Sequence, residues 1–428
     1  MQADRRSGGR AVGQAVLWLV VFLSASPPVP LSAQDYRAQA LRILKTVPLI
    51  DGHNDIPDAI RERGGLDSVD FAVLQPKLMT DIPKLRAGAV GAQYWAAYVP
   101  VTTLHGGEHP AVYALEQIDL VHRLCHKYRQ TFAPALTAAD IERNFKAERG
   151  SLIGLNFERP HATRDSKISC LIGIEGGHAI ENSLGALRMF YRLGVRYMTL
   201  THWETIDWAD AATDSAKHGG LTPFGEDVVR EMNRLGMLVD LSHVSDATMV
   251  DAIRVSRAPV FYSHSSARAL CNHVRNVPDS ILKMVRANGG VVMVNFNPGF
   301  VSEAVRVYED SMARRARALR TAGVDTTAVA DSLKGWAARG PKATLAQVAD
   351  HIEHIRDVAG VDAVGLGSDF DGITEVPVGL EDVSKFPDLI AELLRRGWSE
   401  QDVKKVAGLN ALRVLRAAEQ VAAGRPGP

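Results

Sequence analysis

The chain has 428 residues, with 49 Lys plus Arg against 49 Asp plus Glu, so its formal net charge is zero. Apolar residues make up 46% and charged ones 23%, which excludes a disordered chain; without a basic surplus, nucleic acid is not expected as a partner. Three cysteines are too few for a disulfide scaffold.

At the N-terminus, Arg5, Arg6 and Arg10 precede an apolar run from Ala15 to Leu23, then Pro27, Pro28 and Leu31-Ser32-Ala33. That order reads as an export signal over residues 1–33, cleaved near Ala33, because the run falls short of the roughly 20 residues of a membrane span. The expected product is a single periplasmic or extracellular domain, 34–428, and no lipid-anchor signal is evident in the Gly-Arg-Pro-Gly-Pro tail.

Eight apolar, β-branched-rich segments follow: Val47–Asp51, Val90–Tyr98, Leu171–Ile174, Arg196–Leu200, Met237–Leu241, Pro259–Ser263, Val291–Phe296 and Ala363–Gly367. Most are continuous apolar runs, as expected for parallel strands covered on both faces. Helical periods lie between them, such as Leu115, Ile118, Val121, Leu124 and Val228, Val229, Met232, Leu235. Eight strands with interposed helices predict a (β/α)8 TIM barrel. An open doubly wound sheet would bring a Gly-rich phosphate turn, and no G-x-G-x-x-G follows any of these segments. Residues 153–170 and 302–343 read as insertions. The second is helical and rich in arginine; it follows the seventh strand and is placed to form a lid.

Polar residues gather at the C-terminal ends of the predicted strands, where barrel geometry converges them on one pocket. These are His53 and Asp55, Glu175, His202, His243, His264, and Asp369 with Asp371. His53 and Asp55 are two apart, so on extended backbone they point the same way. Any one of these signals is weak, and a polar rim without metal is the bland alternative. Together, imidazoles and carboxylates in a ring suit zinc or a pair of divalent ions. His178 and His273 read as locally structural, and His105, His109, His122, His126, His161, His218, His351 and His354 as surface or loop residues.

The segments His53-Asn-Asp55, Ile-Glu175-Gly-Gly-His, Leu-Thr-His202, Asp-Leu-Ser-His243, Ser-His264-Ser-Ser-Ala, Arg275-Asn-Val-Pro-Asp and Asp369-Phe-Asp-Gly resemble the membrane (renal) dipeptidases, peptidase family M19. The resemblance runs from about residue 40 to 420 and implies an amidohydrolase-like barrel that hydrolyses dipeptides through a metal-bound hydroxide at a binuclear zinc site. It implies His53 and Asp55 on one of two Zn2+ ions, His243 and His264 on the other, and Glu175 bridging both. His202 would stabilise the oxyanion, Arg275 would pair with the substrate's C-terminal carboxylate, and Asp369 would shuttle the proton, with Asp371 supporting the turn. A homodimer is compatible with the resemblance. This chain departs from animal members in having Glu204 and Glu303 where they have bridging cysteines, so Cys271 is expected unpaired; Cys125 and Cys170 are not assigned to a bridge either. Phe300 stands where a tyrosine near the substrate is expected. Other readings keep the fold: a metallohydrolase of other small amides or β-lactams, or a silent binding homologue, which the intact ring of ligands disfavours.

Overall fold

Continuous apolar runs can bury both faces of a strand, and eight of the nine strands in the described residues do so almost throughout, all nine lying in one parallel sheet. The computed structural model describes residues 32–146, 166–337 and 339–424. Residues 1–31 of the expected leader and most of the 153–170 segment, including Glu158 and His161, lie outside them. The strands are β1 (Leu49–Asn54), β2 (Val90–Tyr98), β3 (Phe132–Pro134), β4 (Ile168–Glu175), β5 (Val195–Thr199), β6 (Leu238–Asp240), β7 (Phe261–Tyr262), β8 (Val291–Val294) and β9 (Val364–Leu366).

Eight of them, all but β3, close into a barrel. β2 pairs with β4 from Ala92 opposite Ser169 to Tyr98 opposite Glu175, and Asp51 of β1 sits opposite Leu366 of β9. The predicted (β/α)8 barrel is therefore the observed fold, and each of the eight segments read from the sequence overlaps one ring strand. The short β3 was not expected. It pairs with Ile168–Cys170 at the start of β4, while β5 joins that strand only from Ile172. Residues Ile168–Cys170 consequently belong to the barrel rather than to an insertion.

The barrel interior is filled. β2 and β7 are not neighbours in the ring, so the contact between Tyr94 and Phe261, with centroids 5.7 Å apart, crosses its centre. Tyr197 completes the trio at 5.3 Å from Tyr94 and 5.6 Å from Phe261. Gly173 makes room for it: a Cβ there would lie 1.9 Å from Cζ of Tyr197. Helices cover the outside. Val228, Val229 and Met232 of the helix Pro223–Leu235 are buried, as are Ile118, Val121 and Leu124 of Pro110–Lys127, whereas Leu115 is exposed.

The 302–343 insertion is helical, as expected. Helices Glu303–Thr321 and Thr326–Ala337 pack together, with Val305, Ala316 and Val329 buried. Two expectations need correction. Cys125, in the last turns of Pro110–Lys127, is disulfide-bonded to Cys170 on β4, because that helix packs on the barrel with the two Cα atoms 6.8 Å apart. Cys271 is free and buried, as expected. His351 is not a surface residue: it is fully buried on helix Leu345–Ala359. Its Nδ1 accepts from the Ala267 N–H at 3.0 Å and its Nε2 faces the Val301 carbonyl at 2.9 Å, so both nitrogens are satisfied.

Candidate active site

Strand ends deliver the polar side chains to one place. β1 brings His53, with Asp55 just beyond it, and β4 ends on Glu175. His202 follows β5 by three residues, His243 follows β6 by three, His264 follows β7 by two, and Asp369 follows β9 by three. The turns there are tight enough to force His243 (φ 70°), Asp369 (φ 66°) and Asp371 (φ 66°) into the left-handed region that favours glycine.

Glu175 is central. Its Oε2 lies 3.6 Å from Nε2 of His53, whose Nε2 is also 3.2 Å from Oδ2 of Asp55. Its other oxygen, Oε1, lies 2.9 Å from Nε2 of His243, 3.3 Å from Nε2 of His264 and 3.8 Å from Nε2 of His202. The Nε2 atoms of His243 and His264 are 3.0 Å apart. One carboxylate thus turns one oxygen to each of two ligand groups. Three overlapping sets could hold a metal ion: His53 with Glu175 and His264, Glu175 with His202 and His243, and His53 with Asp55 and Asp369.

The local chemistry fits a cation. Burial pushes His243 and His264 well below the usual imidazole range, leaving the neutral form that ligates metal. Burial works against the Glu175 carboxylate, yet the surrounding imidazoles outweigh it and hold its pKa well below normal. Nε2 of His53 is buried and makes no hydrogen bond among the described residues, although two carboxylates lie within 3.6 Å.

Supporting residues were not singled out in the sequence. Tyr197 Oη lies 2.8 Å from Nδ1 of His53, and Ser263 Oγ lies 2.8 Å from Nδ1 of His264. Asp51 accepts from Ser368 Oγ at 2.7 Å and from Gln93 Nε2 at 3.0 Å, tying β1 to β2 and to the segment just past β9. Asn295 Nδ2 donates to Oδ2 of Asp369 at 2.9 Å. Their sequence signals are faint: a serine immediately before both His243 and His264, and an acid in each of β1 and β6.

Arg275 and His202 join the group. Arg275, in the loop after β7, is only 1% exposed, and its Nε and Nη1 have no hydrogen-bond partner among the described residues. Its Nη2 reaches the His264 carbonyl at 3.4 Å and its Cζ lies 5.4 Å from the centre of the Phe300 ring. Burial lowers its pKa to about 10, so the guanidinium stays charged at neutral pH. His202 is packed among Tyr98, Trp203 and His243 and is pushed down to about 4 by burial. Burial raises Asp369 to about 7. Asp371 turns aside to accept from the Met79 N–H at 2.8 Å. Glu204 pairs with His105 at 2.9 Å, and Glu303 accepts from the Asn272 N–H at 2.8 Å.

Comparison with known proteins adds the family. A family model for the membrane dipeptidases, peptidase family M19, matches residues 37–157 and 156–427. Dipeptidase 3 of Rattus norvegicus is 41% identical over 393 residues, covering 90% of this chain and 68% of its own. Dipeptidase verJ of Clonostachys rogersoniana is 40% identical over 398 residues, covering 90% and 88%. Among solved structures, the probable dipeptidase PvdM from Pseudomonas aeruginosa superposes with a TM-score of 0.76 at 22% identity, over 91% of this chain and 99% of that one. A metallo peptidase from Rhodobacter sphaeroides, liganded with a phosphinate mimic of the dipeptide L-Ala-D-Ala, superposes at 0.65 with 25% identity, over 86% and 99%. With the family model spanning nearly the whole described chain, this protein belongs to peptidase family M19, the membrane dipeptidases, and is a metallo-dipeptidase.

Proposed function

We propose that the chain is an exported zinc dipeptidase with a binuclear centre, in which His53 and Asp55 hold one ion, His243 and His264 the other, and Glu175 bridges them. The observation that carries this is the division of the two Glu175 oxygens between the two histidine groups. A shared carboxylate offsets the repulsion of two nearby cations. When bound, the ions supply a nucleophile near neutral pH by lowering the pKa of water, and they polarise the scissile carbonyl.

The protein's own groups do the rest. Arg275, whose Nε and Nη1 have no hydrogen-bond partner among the described residues, receives the substrate's C-terminal carboxylate; its planar fork, either of these nitrogens together with Nη2, matches two oxygens. His202, kept neutral by burial, donates an N–H to the carbonyl oxygen as negative charge develops there. Asp369 accepts the proton from the attacking water and passes it to the leaving amine; a pKa of about 7 makes both of its states accessible. The Cys125–Cys170 disulfide supports an oxidising, exported setting for residues 34–428.

Elemental analysis after zinc reconstitution, alongside turnover of a dipeptide panel with and without chelator, tests the reading. About two ions per chain are expected, with turnover abolished by chelator and pairing of the ions lost in Glu175→Gln. A plateau at one ion with full activity would remove Glu175 from its bridging role.

A further inference from the structure

We propose that Asp240 and Ser263 are positioning residues that hold His264 in a single tautomer, with the proton on Nδ1 and the Nε2 lone pair bare. Asp240, at the end of β6, is fully buried, and both its oxygens are saturated. Oδ1 accepts the backbone N–H groups of Ser263 at 2.8 Å and Ser242 at 3.1 Å, while Oδ2 accepts the hydroxyls of Thr199 at 2.5 Å and Ser263 at 2.6 Å. A carboxylate offers only lone pairs, so each of these contacts consumes a proton from the partner. Ser263 has one hydroxyl proton, and the short bond to Asp240 takes it. What remains toward Nδ1 of His264, at 2.8 Å, is an oxygen lone pair. That contact is a hydrogen bond only if Nδ1 carries the proton, which leaves Nε2 bare.

Bare Nε2 then faces Oε1 of Glu175 at 3.3 Å, a meeting of acceptors that a cation satisfies, and lies 3.0 Å from Nε2 of His243. His243 has no equivalent device: its Nδ1 is buried without a partner among the described residues, so its proton is free to sit on Nε2 facing Glu175. The two imidazoles differ, one preset for a metal and one not. The purpose of the arrangement rests on the metal-centre reading above, but the tautomer itself is a property of the metal-free chain.

The test uses the full chain labelled with 15N-histidine, stripped of metal and held at mildly alkaline pH, with His264 resonances identified through His264→Gln. Two-bond 1H–15N correlations should report protonated Nδ1 and bare Nε2 at His264. Ser263→Ala should shift it toward the opposite tautomer, and Ser263→Thr, which keeps the hydroxyl, should restore it. Zinc titration of the stripped proteins should show Ser263→Ala weakened about 10- to 100-fold, with Ser263→Thr near wild type. A wild-type His264 protonated on Nε2 would overturn the proposal even if no variant folds. So would a Ser263→Ala chain whose tautomer or zinc affinity does not change. A wild-type chain with the expected tautomer that takes up no zinc would instead overturn the metal-centre reading and leave the tautomer assignment standing.

Discussion

Arg275 gives the sharpest test of substrate recognition. The guanidinium is buried and charged, and two of its nitrogens have no hydrogen-bond partner among the described residues. A substrate carboxylate that pairs with the guanidinium adds charge-assisted contacts worth about 1.5 to 3 kcal/mol. At 1.36 kcal/mol per tenfold, Arg275→Met should lose roughly 10- to 150-fold in kcat/KM for a free dipeptide. Amidating the C-terminus should cost the wild type a similar factor. The double perturbation separates this from general damage: the variant should treat acid and amide alike, since the group that distinguished them is gone. A thermal melt completes the assay. A buried cation short of partners does not stabilise the empty chain, so Arg275→Met should melt at or above the wild-type temperature. If the variant still prefers the free acid by the wild-type margin, the carboxylate binds elsewhere and the reasoning fails.

Three further outcomes follow from the packing. His351 is buried with its pKa pushed down to about 4, against 6.5 when free, so in that window the unfolded chain binds more protons. Stability from this group is therefore complete above pH 6.5 and is lost as pH falls toward 4, by up to about 3 kcal/mol; urea midpoints of His351→Gln should fall less steeply there, and parallel curves would refute it. Gly173→Ala must displace the Tyr197 ring and with it the contact to His53, costing about 1–3 kcal/mol and weakening zinc uptake; an unchanged melt would mean the barrel floor yields more easily than its geometry allows. Opening the Cys125–Cys170 bridge, 45 residues apart, should destabilise by about 2–4 kcal/mol, and thiol titration in denaturant without reductant should find only Cys271. Three reactive thiols would remove the bridge.

The barrel was legible because long apolar runs such as Val90–Tyr98 carry their burial in their own composition. β3 was not, because Phe132–Pro134 is too short to show a period and exists only through its pairing with β4. The site histidines and acids were readable from their positions at strand ends together with the family motifs. Their supports were not: Ser263 matters because Asp240, 23 residues earlier, consumes its proton, and local sequence does not encode that relation. The same holds for Cys125 with Cys170 and for His351, whose helical position looks ordinary until Ala267 and Val301 close around it.

The left-handed backbone at His243, Asp369 and Asp371 also bears on how the enzyme can be improved. Each such residue other than glycine carries strain on the order of 1–3 kcal/mol, and glycine at any of the three would relax it. A library selected for heat resistance alone would therefore drift toward glycine at positions 243 and 369, where the proposed chemistry needs imidazole and carboxylate. Selection for robustness and selection for turnover pull against each other at these turns, so a thermostabilisation campaign should hold them fixed and take its gains from the outer helices.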